Sequence, residues 1–202
     1  MSLGRVSLKS GYCRGRALLA ATLCLALALA GCGGSPLDSY SLSSPRDVSG
    51  RASSRQMIVL EPVAIAPYDS ERIVVRTGPE AVAYLKGAQW VERLPRLLQT
   101  TMIQSFENAR LLRSVGRPGE RFVADVSLTS EIRRFEIDVT TNEAIVEISA
   151  RVVAEGSGRI IAARIFSARV PGSAADGKAA SAALDAAADR VLREIVAWSA
   201  GR

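Results

Sequence analysis

The most reactive group in the chain is the thiol of Cys32, which closes the tetrapeptide Leu29-Ala30-Gly31-Cys32 at the end of an apolar run from Ala17 to Ala30. Small residues ahead of a thiol give a peptidase access to the bond before it, and a thiolate is the nucleophile that takes up an alkyl or acyl group. The Gly31–Cys32 bond is the expected cut, with the thiol and the new amine as the expected sites of alkylation and acylation. Composition removes much of the competing chemistry. The chain has no His, so Ser-His and Cys-His nucleophile pairs and His metal ligands are excluded. Cys13 and Cys24 precede the cut. Beyond it there is no second cysteine for an internal disulfide and none for a zinc site. Ser-Lys or paired-carboxylate catalysis remains open on composition, but no spacing argues for either.

The elements around Cys32 fit an export signal. Arg5, Lys9, Arg14 and Arg16 are basic, and no acidic residue occurs before Asp38. A basic start, a short apolar run and a small-residue processing site make a secretory signal. The run from Ala17 to Ala30 is 14 residues, short of the roughly 20 that a membrane-spanning helix needs. All four residues from Leu29 to Cys32 resemble the bacterial lipobox. Residues 1–31 are therefore expected to be removed as a signal peptide. Cys32 is expected to carry a thioether-linked diacylglycerol and an amide-linked acyl chain such as palmitate, with no other cofactor and no metal. Several chains on one residue hold a protein firmly on a membrane. Gly33 follows the cysteine where an Asp would favour inner-membrane retention. The expected location is the periplasmic side of the outer membrane, with the inner membrane the weaker alternative.

The formal charge of +6 is misleading, because four basic residues lie in the signal. What remains is 22 basic against 20 acidic residues, too balanced for a nucleic-acid footprint. The 171 residues from Cys32 onward suit one domain. Residues 32–56 read as a lipidated N-terminus and flexible Gly/Ser/Arg-rich tether with a reach of roughly 25–30 Å, and residues 57–202 as a single globular domain. Asp38 to Leu42 carries the first bulky side chains after the anchor. Both a docked segment and plain linker are open there.

Met57 to Ala66 is apolar on both faces and reads as a buried, central strand ended by Pro67. Arg72 to Arg76 is a second strand, and residues 81–85 pair back on it after a turn at 77–80. Leu94, Leu97, Leu98, Met102 and Phe106 fall on one helical face, with Pro95 in the first turn and Trp90 just ahead. A kinked helix starting near Gln89 is the alternative. Residues 111–115 form a short strand. Three long strands follow. In the first, Phe122, Ala124, Val126, Leu128 and Ile132 share a face, but the apolar set then changes parity to Phe135, Ile137 and Val139. That predicts a β-bulge near Arg133-Arg134. Ala144 to Ala154 and Arg159 to Val170 complete an antiparallel meander. Ser173 or Asp176 caps a last helix with Leu184, Ala188, Val191, Ile195 and Trp198 inward. The expected class is α/β with α+β character: one mixed, largely antiparallel sheet with two main helices packed on it. Three residues qualify as candidate partner contacts. Trp90 is an aromatic at a helix start. Arg133 and Arg134, beside Glu131 and Glu136, form either a docking edge or a solvated strand face. Trp198 reads as core edge.

Taken in order along the chain, these features resemble the ABC-type transport auxiliary lipoproteins. The resemblance rests on Cys32, on Tyr40-Ser41-Leu42, and on the first strand with Pro62 and Pro67. It continues with Ile73-Val74-Val75-Arg76, Ala83-Tyr84-Leu85, and Trp90 before Leu94-Pro95-Arg96-Leu97-Leu98. Leu128, Phe135-Glu136, Arg164-Ile165-Phe166 and the Ala-rich helix ending in Trp198 complete it. Val75 stands where the family often has Tyr. The resemblance implies a three-layer domain similar to anticodon-binding-like and TolB N-terminal domains. It also implies a non-catalytic role beside an ABC permease and ATPase and a periplasmic mammalian-cell-entry (MCE) domain protein, in moving phospholipids or other hydrophobic molecules between membranes. The lipoprotein would dock or gate that assembly, and a ring-shaped partner would suit a homo-oligomer. An envelope assembly factor, for lipopolysaccharide export or a secretion machine, and a lipid-binding carrier are the alternative readings.

Overall fold

The computed structural model describes residues 37–202; Gly31, Cys32 and the apolar run lie outside them. The chain forms, in order, β1 (Asp38–Tyr40), β2 (Gln56–Val59), β3 (Val63–Ala64), β4 (Arg72–Arg76), β5 (Val82–Trp90), α1 (Leu94–Ala109), β6 (Ser114–Gly116), β7 (Val126–Asp138), β8 (Glu143–Ala154), β9 (Ile160–Pro171) and α2 (Gly177–Ala200). The strands make one mixed sheet built on β7. One edge of β7 pairs in parallel with β2, β3 and β4 in turn. Its other edge pairs antiparallel with β8, and β8 with β9. β5 pairs antiparallel with β4 and carries β1 in parallel beyond it, while β6 lies parallel outside β2. The antiparallel pairings of β7, β8 and β9 are the long ones, as the meander reading expects.

The predicted single strand at Met57–Ala66 is two strands. Pro62 has no N–H to give to β7, and the ladder is interrupted there. Met57 and Val59 are fully buried, but Val63 and Ile65 are mostly exposed, so only the first half is core. β5 runs on to Trp90, longer than the expected hairpin arm, and Trp90 ends a strand rather than opening a kinked helix. Pro95 lies in the first turn of α1. The bulge is present: the β7–β8 register shifts between Ile132 and Arg134. It keeps Leu128, Ile132, Phe135 and Ile137 all buried, although their spacing changes parity. Gly158 turns the β8–β9 hairpin at φ +66°, a conformation that needs no Cβ.

Both helices pack on the sheet and touch each other. Leu98, Met102 and Phe106 of α1 and Leu184, Ala188, Val191 and Ile195 of α2 are at most 1% exposed. By register, they cover the sheet face that carries Leu128, Phe135 and Val146. Trp198 is half-buried, edge-on to Phe166. The α2 N-cap is Asp176, whose carboxylate accepts from the Ala179 N–H at 2.7 Å, one of the two caps expected. α2 begins very close to the sheet. A Cβ on Gly177 would lie 2.5 Å from Ala88 Cβ and 2.9 Å from the Tyr40 ring, so only glycine fits.

Residues 37–56 are not a tether. β1 joins the sheet, and the chain then runs along the seam between the helices as a strap. Ser43 donates from its backbone N–H (2.7 Å) and from Oγ to the Asp185 carboxylate. Ser44 Oγ bonds Gln104 at 2.6 Å, and Asn108 donates to the Pro45 carbonyl at 3.1 Å. Arg193 donates to the Arg46 carbonyl at 2.7 Å. Leu42 and Val48 are buried in the common core. Composition pointed to coil, but two apolar anchors and a row of hydrogen bonds to both helices outweigh the chain entropy. Replacing Leu42 by Ala should cost about 2–3 kcal/mol in urea unfolding and open residues 44–50 to protease before the rest of the domain. Unchanged stability and cleavage would mean the strap is only laid on the surface.

Candidate functional site

The helix-free face of the sheet holds the densest polar cluster among the described residues. Alternation along β7 sends Phe135 and Ile137 toward the helices and Arg134, Glu136 and Asp138 the other way. The bulge adds Arg133 beside them, opposite Glu147. β4 runs parallel to this stretch with Arg76 level with Asp138. The turn after β3 curls at residues 65–69, where the Tyr68 and Asp69 N–H groups both donate to the Ile65 carbonyl, and this turns the Tyr68 ring inward.

These pieces meet at Glu136, whose side chain is wholly buried. Its carboxylate accepts from Arg76 Nε at 2.7 Å and Nη2 at 3.1 Å, from Arg134 Nε at 2.8 Å and from the Tyr68 hydroxyl at 2.7 Å. Arg134 Nη2 also reaches Asp138 at 3.4 Å. Asp138 accepts from the Thr140 N–H at 3.0 Å and its hydroxyl at 2.6 Å. Two guanidiniums face two carboxylates, so the cluster is neutral.

Its electrostatics favour permanent charge over proton transfer. Burial pushes the Glu136 carboxyl upward, but the hydrogen bonds from Arg76, Tyr68 and Arg134 outweigh it and hold the group below the usual carboxylate range. The Thr140 hydrogen bonds hold Asp138 low against a smaller desolvation penalty. Burial, helped by the Glu136 charge, pushes the Tyr68 phenol up to about 12. The Glu136 contact also holds Arg76 above its ordinary value. A general acid or base works best with a pKa near the operating pH, and each of these groups is moved away from neutrality. The cluster is a clasp joining β4, β7 and the 65–71 loop.

A second clasp lies beside it. Arg93, at the N-cap of α1, spends its guanidinium on Asp69 and on Glu61 at 3.1 Å rather than on the helix. The Ser70 carbonyl meanwhile accepts from the Leu94 N–H at 3.0 Å. The crossover from β3 to β4 is thereby held against the start of α1.

The three candidate contact residues have different fates. Trp90 is 1% exposed and packs edge-on against Phe135 at 5.8 Å. It is core, because β5 continues up to it and its ring falls on the helix-covered side. Arg134 is committed to Glu136 and Asp138. Arg133 is 45% exposed and pairs with Glu147 at 2.9 Å, so it is the most exposed of the three. Around it the same face exposes Val63, Ile65, Tyr84 and Ile165, with Arg72 stacked 4.8 Å over the Tyr84 ring. Tyr68 and Arg76 were missed as partners of Glu136, since no short-range pattern joins residues some sixty positions apart. Gly31 and Cys32 are outside the described residues. Among the described residues no helix is long and apolar enough to cross a membrane.

Known proteins place this arrangement in a family. The chain is 32% identical over 176 residues to the uncharacterized protein bll6063 of Bradyrhizobium diazoefficiens, a match covering 83% of this chain and 46% of that protein. The chain therefore spans about half the length of that relative. It is similar in structure to protein XCC0632 of Xanthomonas campestris, at 28% identity and a TM-score of 0.72, over 80% of this chain and 94% of that one. Protein CT253 of Chlamydia trachomatis, at 12% identity and a TM-score of 0.51 over 74% of this chain and 97% of that one, shares the fold alone. The model of the ABC-type transport auxiliary lipoprotein component matches residues 40–196, from β1 and the strap through nearly all of α2. The chain belongs to the family of ABC-type transport auxiliary lipoprotein components.

Proposed function

We propose that the protein is a membrane-anchored, non-catalytic docking subunit of an ABC-type system that moves phospholipids or other hydrophobic molecules between the inner and outer membranes. It works beside an MCE-domain protein, a permease and an ATPase. The observation that carries this reading is the family match over 40–196, which takes in the strap as well as the sheet and helices. Packing favours docking over carriage. The space between sheet and helices is filled by side chains such as Leu98, Met102, Phe106 and Leu128, all at most 1% exposed. The helix-free face around Arg133 is the surface that would meet the partner.

The strap sharpens the anchoring geometry. Only Gly33, Gly34, Ser35 and Pro36 separate Cys32 from the domain, and five Cα steps reach at most ~18 Å. A lipid on Cys32 on the periplasmic side of the outer membrane would hold the domain close to the headgroups, not at the end of a long tether. Confinement raises the effective concentration for a partner in the same space, so modest contacts suffice. Lipidated protein extracted in mild detergent from its own cells should bring down an MCE-domain protein with its permease and ATPase, identified by mass spectrometry. Recovery with an unrelated envelope complex would instead favour an assembly-factor role. Bound lipid in stoichiometric amount without a transporter would favour a carrier.

A further inference from the structure

A basic cleft opens where the strap ends, at the far end of α2 from β1. It has a volume of about 420 Å³ and is lined by Arg51, Ser53, Ser54, Arg55 and Arg202 with the backbone around Ala200 and Gly201. That volume lies within the ~300–1,000 Å³ range of small-molecule sites. No Asp or Glu side chain lines it. The elements that build it are fixed: the Ser53 N–H donates to the Leu111 carbonyl at 2.8 Å, the Arg113 N–H to the Arg55 carbonyl at 3.0 Å, and the Arg202 N–H to Ser199 at 3.2 Å.

Two observations separate this cleft from an ordinary solvated surface. Three guanidiniums, of Arg51, Arg55 and Arg202, line the one cleft, and none of them forms an ion pair with an acidic side chain among the described residues. In addition, Nη1 of Arg55 is buried with no hydrogen-bond partner. A buried guanidinium donor left unpaired is costly, and Arg55 is one of the residues that line the cleft. The C-terminus of α2 offsets about half a charge, and a terminal carboxylate on Arg202 would offset one more, which still leaves the three guanidiniums in excess.

We infer that this cleft binds a phosphate group, with the Arg51, Arg55 and Arg202 guanidiniums as charged donors and the Ser53 and Ser54 hydroxyls completing the cradle. Arginine forks match phosphate oxygens in pairs, and hydroxyls add neutral donors. The phosphate belongs either to the headgroup of a glycerophospholipid or to a free phosphate ester. The site stands apart from the helix-free face and does not rest on the transport reading.

The test is titration calorimetry on the full lipidated chain in neutral detergent with three probes: inorganic phosphate, glycerol 3-phosphate and short-chain dihexanoyl phosphatidylglycerol. All three should bind, more weakly as salt rises. Arg55→Gln should weaken binding about tenfold or more, the loss of one charged hydrogen bond. Arg51→Gln, at an exposed position, should weaken it with no change in thermal unfolding, which covers the case in which Arg55→Gln fails to fold. Tighter binding of phosphatidylglycerol than of inorganic phosphate identifies a headgroup site. Equal affinities identify a free-phosphate site. No binding of any probe at millimolar concentration overturns the inference, as does native affinity in both variants.

Discussion

A chain carrying Cys32→Ala should incorporate no labelled palmitate, whereas the native chain should carry both the thioether-linked diacylglycerol and the amide-linked acyl group. The thiol is the only attachment point that the Leu29-Ala30-Gly31-Cys32 pattern offers, so the expected effect is complete. Its consequence for location should be equally large. When the domain is exported behind a signal that is cut without lipidation, it should appear in the soluble periplasmic fraction. The native protein should stay with membranes through a high-salt wash. A single acyl chain binds reversibly, and stable anchoring takes more than one, so removing all chains at once leaves only surface contacts. Domain folding should be untouched, because the folded unit begins at Leu37. Palmitate uptake by the Ala variant, or salt-resistant sedimentation of the unlipidated domain, would refute the anchor and with it the short-leash geometry.

Substituting Glu136 by Gln is the change expected to harm stability most. Arg76, Arg134 and Tyr68 all donate to this one carboxylate, and removing one partner of a buried ion pair costs about 3–5 kcal/mol. The low end, about 3 kcal/mol, is expected because the two arginines are 23% and 26% exposed and can draw in water. Urea unfolding reads this as a lower midpoint at constant slope. A loss below about 1 kcal/mol, in the range of a surface pair, would show that the clasp does not hold β4 and the 65–71 loop in place.

The same cluster sets a pH profile. Glu136 and Asp138 have folded pKa values below their unfolded ones. Their stabilisation is therefore complete above the ordinary carboxylate range and is lost as pH falls through the depressed values. Tyr68 has the opposite sign. With its phenol raised from 10.0 to about 12, the neutral form stabilises the fold fully below pH 10, and that contribution fades between 10 and 12. With no His in the chain, the native protein should show a flat stability plateau across neutrality. Glu136→Gln should lower the plateau and shrink its acid limb. An acid limb of unchanged height in that variant would assign it to other carboxylates.

Much of this protein was legible because its signals are local. The faces of α1 and α2 follow from helical spacing, and the bulge at Arg133-Arg134 follows from one change of parity, since a side chain on the wrong face of a strand is too costly to tolerate. The order of such features also sufficed to point to the family. Tertiary structure decided the rest, where the deciding energy lies in contacts between distant segments. The Ser-rich segment at 37–56 looks like linker by composition, yet Leu42 and Val48 find a seam that exists only once α1 and α2 are packed. Trp90 reads as a candidate partner contact at a helix start until β5 is extended by its pairing with β1 and β4. Glu136 reads as one more charge on a strand face until Tyr68 and Arg76 are folded onto it. Burial turns a surface carboxylate into a clasp, and burial belongs to the whole fold, not to any window of the sequence.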